Sequence, residues 1–188
     1  MVKVETEKQL LESVCRGDRE AMRRLYDRYA DYAMAVGLRY VAERDEVRDV
    51  LQDSFVKIFT TIGQFSYRGE GSLKAWVARI VSNRAIDHLR SRGRFVQVGA
   101  GGEVPDMADD GEEEPDVGDM TPEVLTELIG RLPTNYRTVL NLFVFEGRSH
   151  REIAQLLGVK ENTSSSIFFR AKRMLAKMIS EYQNKQRT

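Results

Sequence analysis

A chain of 188 residues has room for one ordinary domain or two small ones. With 41% apolar and 31% charged residues, and no apolar run near the roughly 18 residues a membrane-crossing helix requires, it reads as globular and not membrane-embedded. The formal net charge of zero hides a partition: residues 1–94 hold 18 Lys and Arg against 14 Asp and Glu, residues 95–120 hold nine acids and no base, and residues 121–188 hold 11 bases against six acids.

Apart from that acidic middle, the periodicity is helical throughout. Leu10, Leu11 and Val14 begin an amphipathic helix. A second is expected over residues 19–40, with Leu25, Tyr29, Tyr32, Ala33 and Val36 inward. A third spans residues 45–62, with Val47, Val50, Leu51, Phe55, Ile58 and Phe59 at helical spacing. A loop over residues 63–71 leads to a fourth helix, which Ser72 can cap and which ends near residue 90. Residues 95–120 are rich in Gly, Pro and acids and too poor in apolar side chains to offset the entropy of ordering, so they are expected to form a flexible linker.

Thr121-Pro122 pairs a capping residue with proline at the first helical position. Leu132-Pro133 closes that helix and opens another that should run to Glu146-Gly147. Ser149-His150-Arg151-Glu152 is a capping box on a short helix stopped by Gly158, and a last helix covers residues 161–182. The expectation is an all-α chain of two small helical domains, residues 1–94 and 121–188, joined by the acidic linker. Two basic segments flanking an acidic one point to nucleic acid as a partner.

Residues 149–175 carry the strongest local signal. A short helix with Ile153, Ala154, Leu156 and Leu157, a turn at Gly158-Val159 and a longer helix compose a helix-turn-helix. Ser164, Phe168, Ala171, Leu175 and Met178 recur at intervals of four and three and face inward. The other side offers Asn162, Thr163, Ser165, Ser166, Phe169, Arg170 and Arg173 to base edges and phosphates. On the fourth helix, Arg79, Asn83 and Arg90 share a stripe beside Trp76 and Asp87, and the preceding loop adds Phe65, Tyr67 and Arg68. By itself such a stripe reads first as a solvated face, with Trp76 and Phe65 in the core.

Taken in order, Asp49-Val50-Leu51-Gln52-Asp53-Ser54-Phe55, Phe65, Trp76 and Arg79-Ile80-Val81-Ser82-Asn83-Arg84-Ala85-Ile86-Asp87-His88-Leu89-Arg90 resemble region 2 of bacterial sigma factors. Leu132-Pro133-Thr134-Asn135-Tyr136-Arg137, Glu146-Gly147-Arg148-Ser149-His150-Arg151-Glu152-Ile153-Ala154, Leu157-Gly158-Val159 and Arg170-Ala171-Lys172 resemble region 4. The pair, covering residues 20–92 and 128–178, is similar to the extracytoplasmic-function (group 4) family. That resemblance implies a promoter-specificity subunit of RNA polymerase that needs no cofactor. It implies that Asp49, Gln52 and Asp53 dock on core polymerase, though the last acid is more often Glu. It implies that Phe65, Tyr67, Arg68, Trp76, Arg79, Asn83 and Arg90 read and help open the −10 element, and that the helix-turn-helix reads the −35 element. It also implies an anti-sigma factor, membrane-bound in the common family arrangement. The recognition helix departs from many relatives, which carry Lys or Arg early where this chain reads Asn162-Thr163-Ser164-Ser165-Ser166-Ile167-Phe168-Phe169. It is similar here to Thr-Ser-rich, Bacteroidetes-like branches, and the expected consequence is either an altered −35 preference, with apolar contact to thymine methyls from Phe169 or Ile167, or weaker −35 binding. Ser164 stands where a valine is usual.

Other classes find less support. Cys15, the single cysteine, has no C-x-x-C or His-rich neighbour, and with a start lacking an apolar signal segment it fits a reduced, cytoplasmic protein with no metal. His88 and His150 are far apart, so an enzyme finds no catalytic constellation. Asp45, Glu46, Asp49 and Asp53 read more naturally as a solvent or partner face than as a Mg²⁺ site. A sigma mimic that titrates an anti-sigma factor would suit the serine-rich recognition helix but not the basic segments. A free-standing helix-turn-helix regulator would leave the motif at residues 49–59 idle. The acidic segment is open to three readings: a tether, an occupant of basic polymerase channels, or a cover for the DNA-binding faces.

Overall fold

The computed structural model describes residues 5–93 and 120–186. The chain divides into two compact units, Met1–Arg92 and Gly93–Thr188. Among the described residues all regular structure is helical. The acidic segment lies outside the described residues, except for Met120.

The N-terminal unit is a four-helix assembly of α1 (Glu7–Cys15), α2 (Arg19–Leu38), α3 (Arg44–Thr61) and α4 (Ser72–Ser91). Its first two helices start where the sequence supplies a cap. Thr6 and Gln9 form a capping box on α1, and the Asp18 carboxylate accepts the N–H groups of Glu20 and Ala21. The core interleaves Leu25, Ala33 and Val36 of α2 with Val47, Val50 and Phe55 of α3 and Leu73, Val77, Val81 and Leu89 of α4, all buried. Full burial of each of the Leu, Val and Phe side chains among them contributes about 1.5–3 kcal/mol. Helices α2 and α3 cross closely at Gly37, where an added Cβ would lie 2.6 Å from Val47 Cγ1. A polar tie joins α3 to α4: His88 Nε2 lies 3.1 Å from Glu46 Oε2, both side chains largely buried.

Between α3 and α4 the chain makes a 3-10 turn at Ile62–Gln64 and then a loop through Gly69 (φ +119°) and Gly71 (φ +87°). Both glycines sit in backbone conformations that side chains disfavour. Gly71, not Ser72, occupies the N-cap of α4, which corrects the sequence expectation. Ser72 is the first helical residue, and its hydroxyl is used inside the loop: it donates to Gly69 O (2.6 Å) and accepts the Arg68 N–H (3.2 Å).

The C-terminal unit contains α5 (Pro122–Gly130), α6 (Thr134–Leu140), α7 (His150–Leu157) and α8 (Glu161–Gln186). Thr121 caps α5 with Pro122 at its first position, and the Ser149–Glu152 capping box opens α7. Ile129, Leu132, Leu140 and Ala171 form a core cluster, flanked by Leu125, Tyr136, Phe168, Leu175 and Met178. The helix after Pro133 does not run on regularly to Gly147. It widens into a π turn at Asn141–Phe145, closed by Glu146 N–H donating to Asn141 O. One residue inserted into a turn shifts every later side chain by about 100°, so a strict helical period cannot register it. The result turns Phe143 toward His150 and leaves Val144 and Phe145 exposed.

Candidate polymerase- and DNA-binding surfaces

Asp49, Gln52 and Asp53 lie on one face of α3, all exposed, while Val50, Leu51, Ser54 and Phe55 on the opposite side are buried. Ser54 can enter that core because its hydroxyl donates to Val50 O at 2.6 Å. Beside Gln52 runs an apolar groove of about 620 Å³, lined in part by Tyr26, Met34, Leu51, Phe55, Val56 and Phe59. Val56 is 60% exposed and Tyr26 46%, large values for apolar side chains at the edge of a packed core. Sequence reasoning found the polar half of this surface and missed the apolar half, since Tyr26 and Met34 come from α2.

The second surface is a concavity of about 480 Å³ at the start of α4, lined by Gln64, Phe65, Ser66, Arg68, Ser72, Ala75, Trp76 and Arg79. It unites four of the seven residues singled out for the −10 element. Phe65 and Trp76 are half-buried, with ring centroids 5.0 Å apart and planes tilted by 38°. They are thus neither solvated nor core: one part of each ring is packed and the other lines the opening. Arg68 and Arg79 are exposed at the same place. A ring platform flanked by guanidinium groups suits an unpaired base and its phosphate.

The other three residues lie outside that lining. Tyr67 is half-buried and donates its hydroxyl to Glu70 Oε2 at 3.3 Å. Desolvation first, and the Glu70 carboxylate second, hold its phenol above the ordinary range. Asn83 is half-buried, and Arg90 is exposed with Nη1 3.8 Å from Asp87 Oδ1. Arg79 and Arg90 stand about 16 Å apart along the helix axis at 1.5 Å per residue, enough to track several phosphates.

What holds the loop is a residue that sequence reasoning passed over. Glu7, at the first turn of α1, is only 4% exposed. Its Oε1 accepts the Tyr29 hydroxyl at 2.7 Å, and its Oε2 accepts the Gly71 N–H at 2.8 Å. Burial first, and then this bond to a carboxylate, push the Tyr29 phenol well above its ordinary value, so it remains a donor. An acid at the polar edge of an amphipathic helix gives no sequence signal of such a role.

In the C-terminal unit, α7, a turn at Gly158 (φ +69°) and α8 form the helix-turn-helix. On α8, Asn162, Ser165 and Arg173 are exposed, Thr163, Ser166 and Arg170 half-buried, and Phe169 38% exposed. Ile167 differs from expectation. It is 4% exposed, placed on the inward side three residues after Ser164, and does not reach a groove. Ser164, in the position where valine is usual, is fully buried, and its Oγ is 3.0 Å from His150 Nδ1. The imidazole stacks on Phe143 (4.6 Å, 16°) and meets Phe168 at 5.6 Å. The hydroxyl that looked misplaced therefore has a partner, supplied by the first residue of α7. Desolvation depresses the His150 pKa and Glu161 partly opposes it.

Comparison with known proteins gives the family of the chain. Residues 25–95 match the family model for Sigma-70 region 2, and residues 123–175 that for Sigma-70, region 4. The RNA polymerase sigma-H factor of Pseudomonas aeruginosa is 31% identical over 95% of this chain and 96% of its own length. The ECF RNA polymerase sigma-E factor of Haemophilus influenzae is also 31% identical, over 93% of this chain and 95% of its own. A solved structure of CnrH in complex with the cytosolic domain of CnrY aligns over 92% of this chain and 96% of that one, with 22% identity and a TM-score of 0.48. The chain belongs to the extracytoplasmic-function sigma factors, the promoter-specificity subunits of bacterial RNA polymerase.

Proposed function

We propose that the concavity at the start of α4 receives unpaired bases of the −10 element, and that the rest of the chain delivers promoter DNA to it. The observation that carries this reading is the convergence of Phe65, Trp76, Arg68 and Arg79 on one opening. A flipped base loses a few kcal/mol of stacking and pairing. A ring platform and two cations can offset part of that loss. Asn83 and Arg90 continue the contact along the backbone, and Tyr67 borders the loop.

The exposed Asp49, Gln52 and Asp53, together with the groove around Val56 and Tyr26, are assigned to docking on core polymerase. The outward side of α8 (Asn162, Thr163, Ser165, Ser166, Phe169, Arg170, Arg173) is assigned to the −35 element. Phe169 there is the residue suited to thymine methyls. On this reading residues 1–94 serve polymerase and −10 DNA, residues 121–188 serve −35 DNA, and residues 95–120 tether the two. The protein acts in the cytoplasm as a non-enzymatic subunit without cofactor. An anti-sigma factor holds it inactive by covering the apolar groove that polymerase would otherwise bury.

Run-off transcription with purified core RNA polymerase and genomic fragments tests the scheme. Discrete transcripts that depend on the added chain, and whose start sites share −10 and −35 sequences, are expected. Binding to core without any new start site would remove the DNA-reading assignment.

A further inference from the structure

We propose that Glu7 is a positioning residue for the −10 concavity, acting through the backbone of the loop that carries Phe65 and Arg68. It precedes the stretch that matches Sigma-70 region 2 and touches none of the concavity-lining residues through a contact described above. Its importance lies in what it grips. A buried carboxylate must be hydrogen-bonded to be tolerated, and Glu7 meets that need by binding the Tyr29 hydroxyl with one oxygen and the Gly71 N–H with the other. Gly71 immediately precedes α4, in a left-handed conformation (φ +87°), and its carbonyl accepts the Ala75 N–H of the first helical turn. A negative charge held against the first free N–H groups of a helix is also electrostatically favourable.

From Gly71 the constraint passes along a short chain of bonds. Ser72 Oγ donates to Gly69 O and accepts from Arg68 N–H, which fixes the backbone on which the Arg68 side chain stands. Ser72, Arg68 and Phe65 all line the concavity. Glu7 thus pins the loop to α1 and α2, and the opening keeps its shape before DNA arrives. Pre-set geometry of this kind lowers the cost of ordering a loop on binding.

The idea rests on the base-receiving role of the concavity, and the two can be tested apart. Trp76 is the single tryptophan of the chain, so its emission reports the concavity directly in the free, full-length protein. Glu7→Ala should make Trp76 more accessible to iodide quenching. In holoenzyme, 2-aminopurine placed in the −10 element should show opening reduced about tenfold, with core-polymerase affinity changed less than about twofold. Glu7→Gln, which can accept from Gly71 N–H and donate to the Tyr29 oxygen, should return opening to within about threefold of the parent. Glu7→Asp keeps the charge but retracts it by one methylene, and should behave like alanine. It decides the matter if the alanine variant fails to fold.

Parent-level opening and quenching in Glu7→Asp and Glu7→Ala would overturn the proposal. So would equal loss of opening and core binding, which marks a residue needed only for the fold. Trp76→Ala is the control for the concavity. If it leaves opening unchanged, the base-receiving role fails first and the positioning role falls with it; if it abolishes opening while the Glu7 variants do not, only the positioning role is lost.

Discussion

In the C-terminal unit the hydrogen bonds that place the start of the recognition helix are local, although its core packing reaches back to Ile129 and Leu132. Ser149 and Glu152 cap each other three residues apart, the Val159 N–H returns to Ala154 O across the Gly158 turn, and His150 reaches Ser164 over 14 residues. In the N-terminal unit the loop facing the concavity is tied to Glu7, 64 residues away, and α4 is tied to α3 by a His88–Glu46 pair spanning 42. The hydrogen bonds at one proposed DNA-binding surface come from its own segment, and those at the other reach to distant parts of its unit. The difference predicts where damage spreads. A break in a local element should stay in its own unit, and a break in a long-range tie should alter a surface far from the substitution.

The sharpest local break is Gly158→Val. Space for the side chain is available, but the φ of +69° is strained for a β-branched residue, and the expected loss is about 2 kcal/mol of C-terminal stability. Thermal melting should show that unit destabilised, −35 substitutions should cease to affect transcription, and Trp76 emission should be unchanged. A shift in Trp76 emission would show that the turn is not a local device.

Next comes the double substitution Asp49→Ala with Gln52→Ala. Both side chains are exposed, so melting should not move, while affinity for core polymerase should fall about tenfold, or about 1.4 kcal/mol. An unchanged affinity would remove this face of α3 from the docking surface. Ser149→Ala should cost less, about 1 kcal/mol, by freeing the Glu152 N–H at the start of α7. It should weaken −35-dependent transcription without touching promoter opening on templates that lack a −35 element.

The same contrast explains what could be read from the sequence. Helices α1 to α5, α7 and α8 follow from spacing, caps and glycine stops, because these are properties of a few adjacent residues. The helix-turn-helix was legible for that reason. Phe65, Trp76, Arg68 and Arg79 could be singled out as residue types, but their meeting at one opening depends on a loop closed by Glu7, and nothing near Glu7 announces it. Tyr26 and Met34 escaped notice because the groove they line joins two helices. Ile167 was misplaced for a different reason. An inward face drawn through Ser164, Phe168 and Ala171 steps by four and then three, whereas packing buries Ser164, Ile167 and Ala171, at three and then four, and Phe168 is left half-buried beside them.

The smallest expected effect concerns His150, where local design meets pH. Its imidazole is partly desolvated between Phe143 and Phe168, and its pKa lies below the ordinary 6.5 despite Glu161, the charged group that acts to raise it. The unfolded chain therefore takes up a proton at a higher pH than the folded unit does. Above about pH 6.5 both states are neutral and the full stability is present; as pH falls below that value the unfolded state is favoured, until the folded pKa is passed. Melting of the C-terminal unit should thus decline modestly as pH falls below about 6.5, beyond any decline from carboxylate protonation. His150→Phe keeps the stack on Phe143 and abolishes this increment, at a fixed cost at all pH values from the buried Ser164 hydroxyl it strands. Adding Ser164→Val should recover that cost and leave a flat profile. A decline of equal size in parent and His150→Phe would assign the pH dependence to the carboxylates alone and leave the His150–Ser164 pair as a packing contact without a proton-linked role.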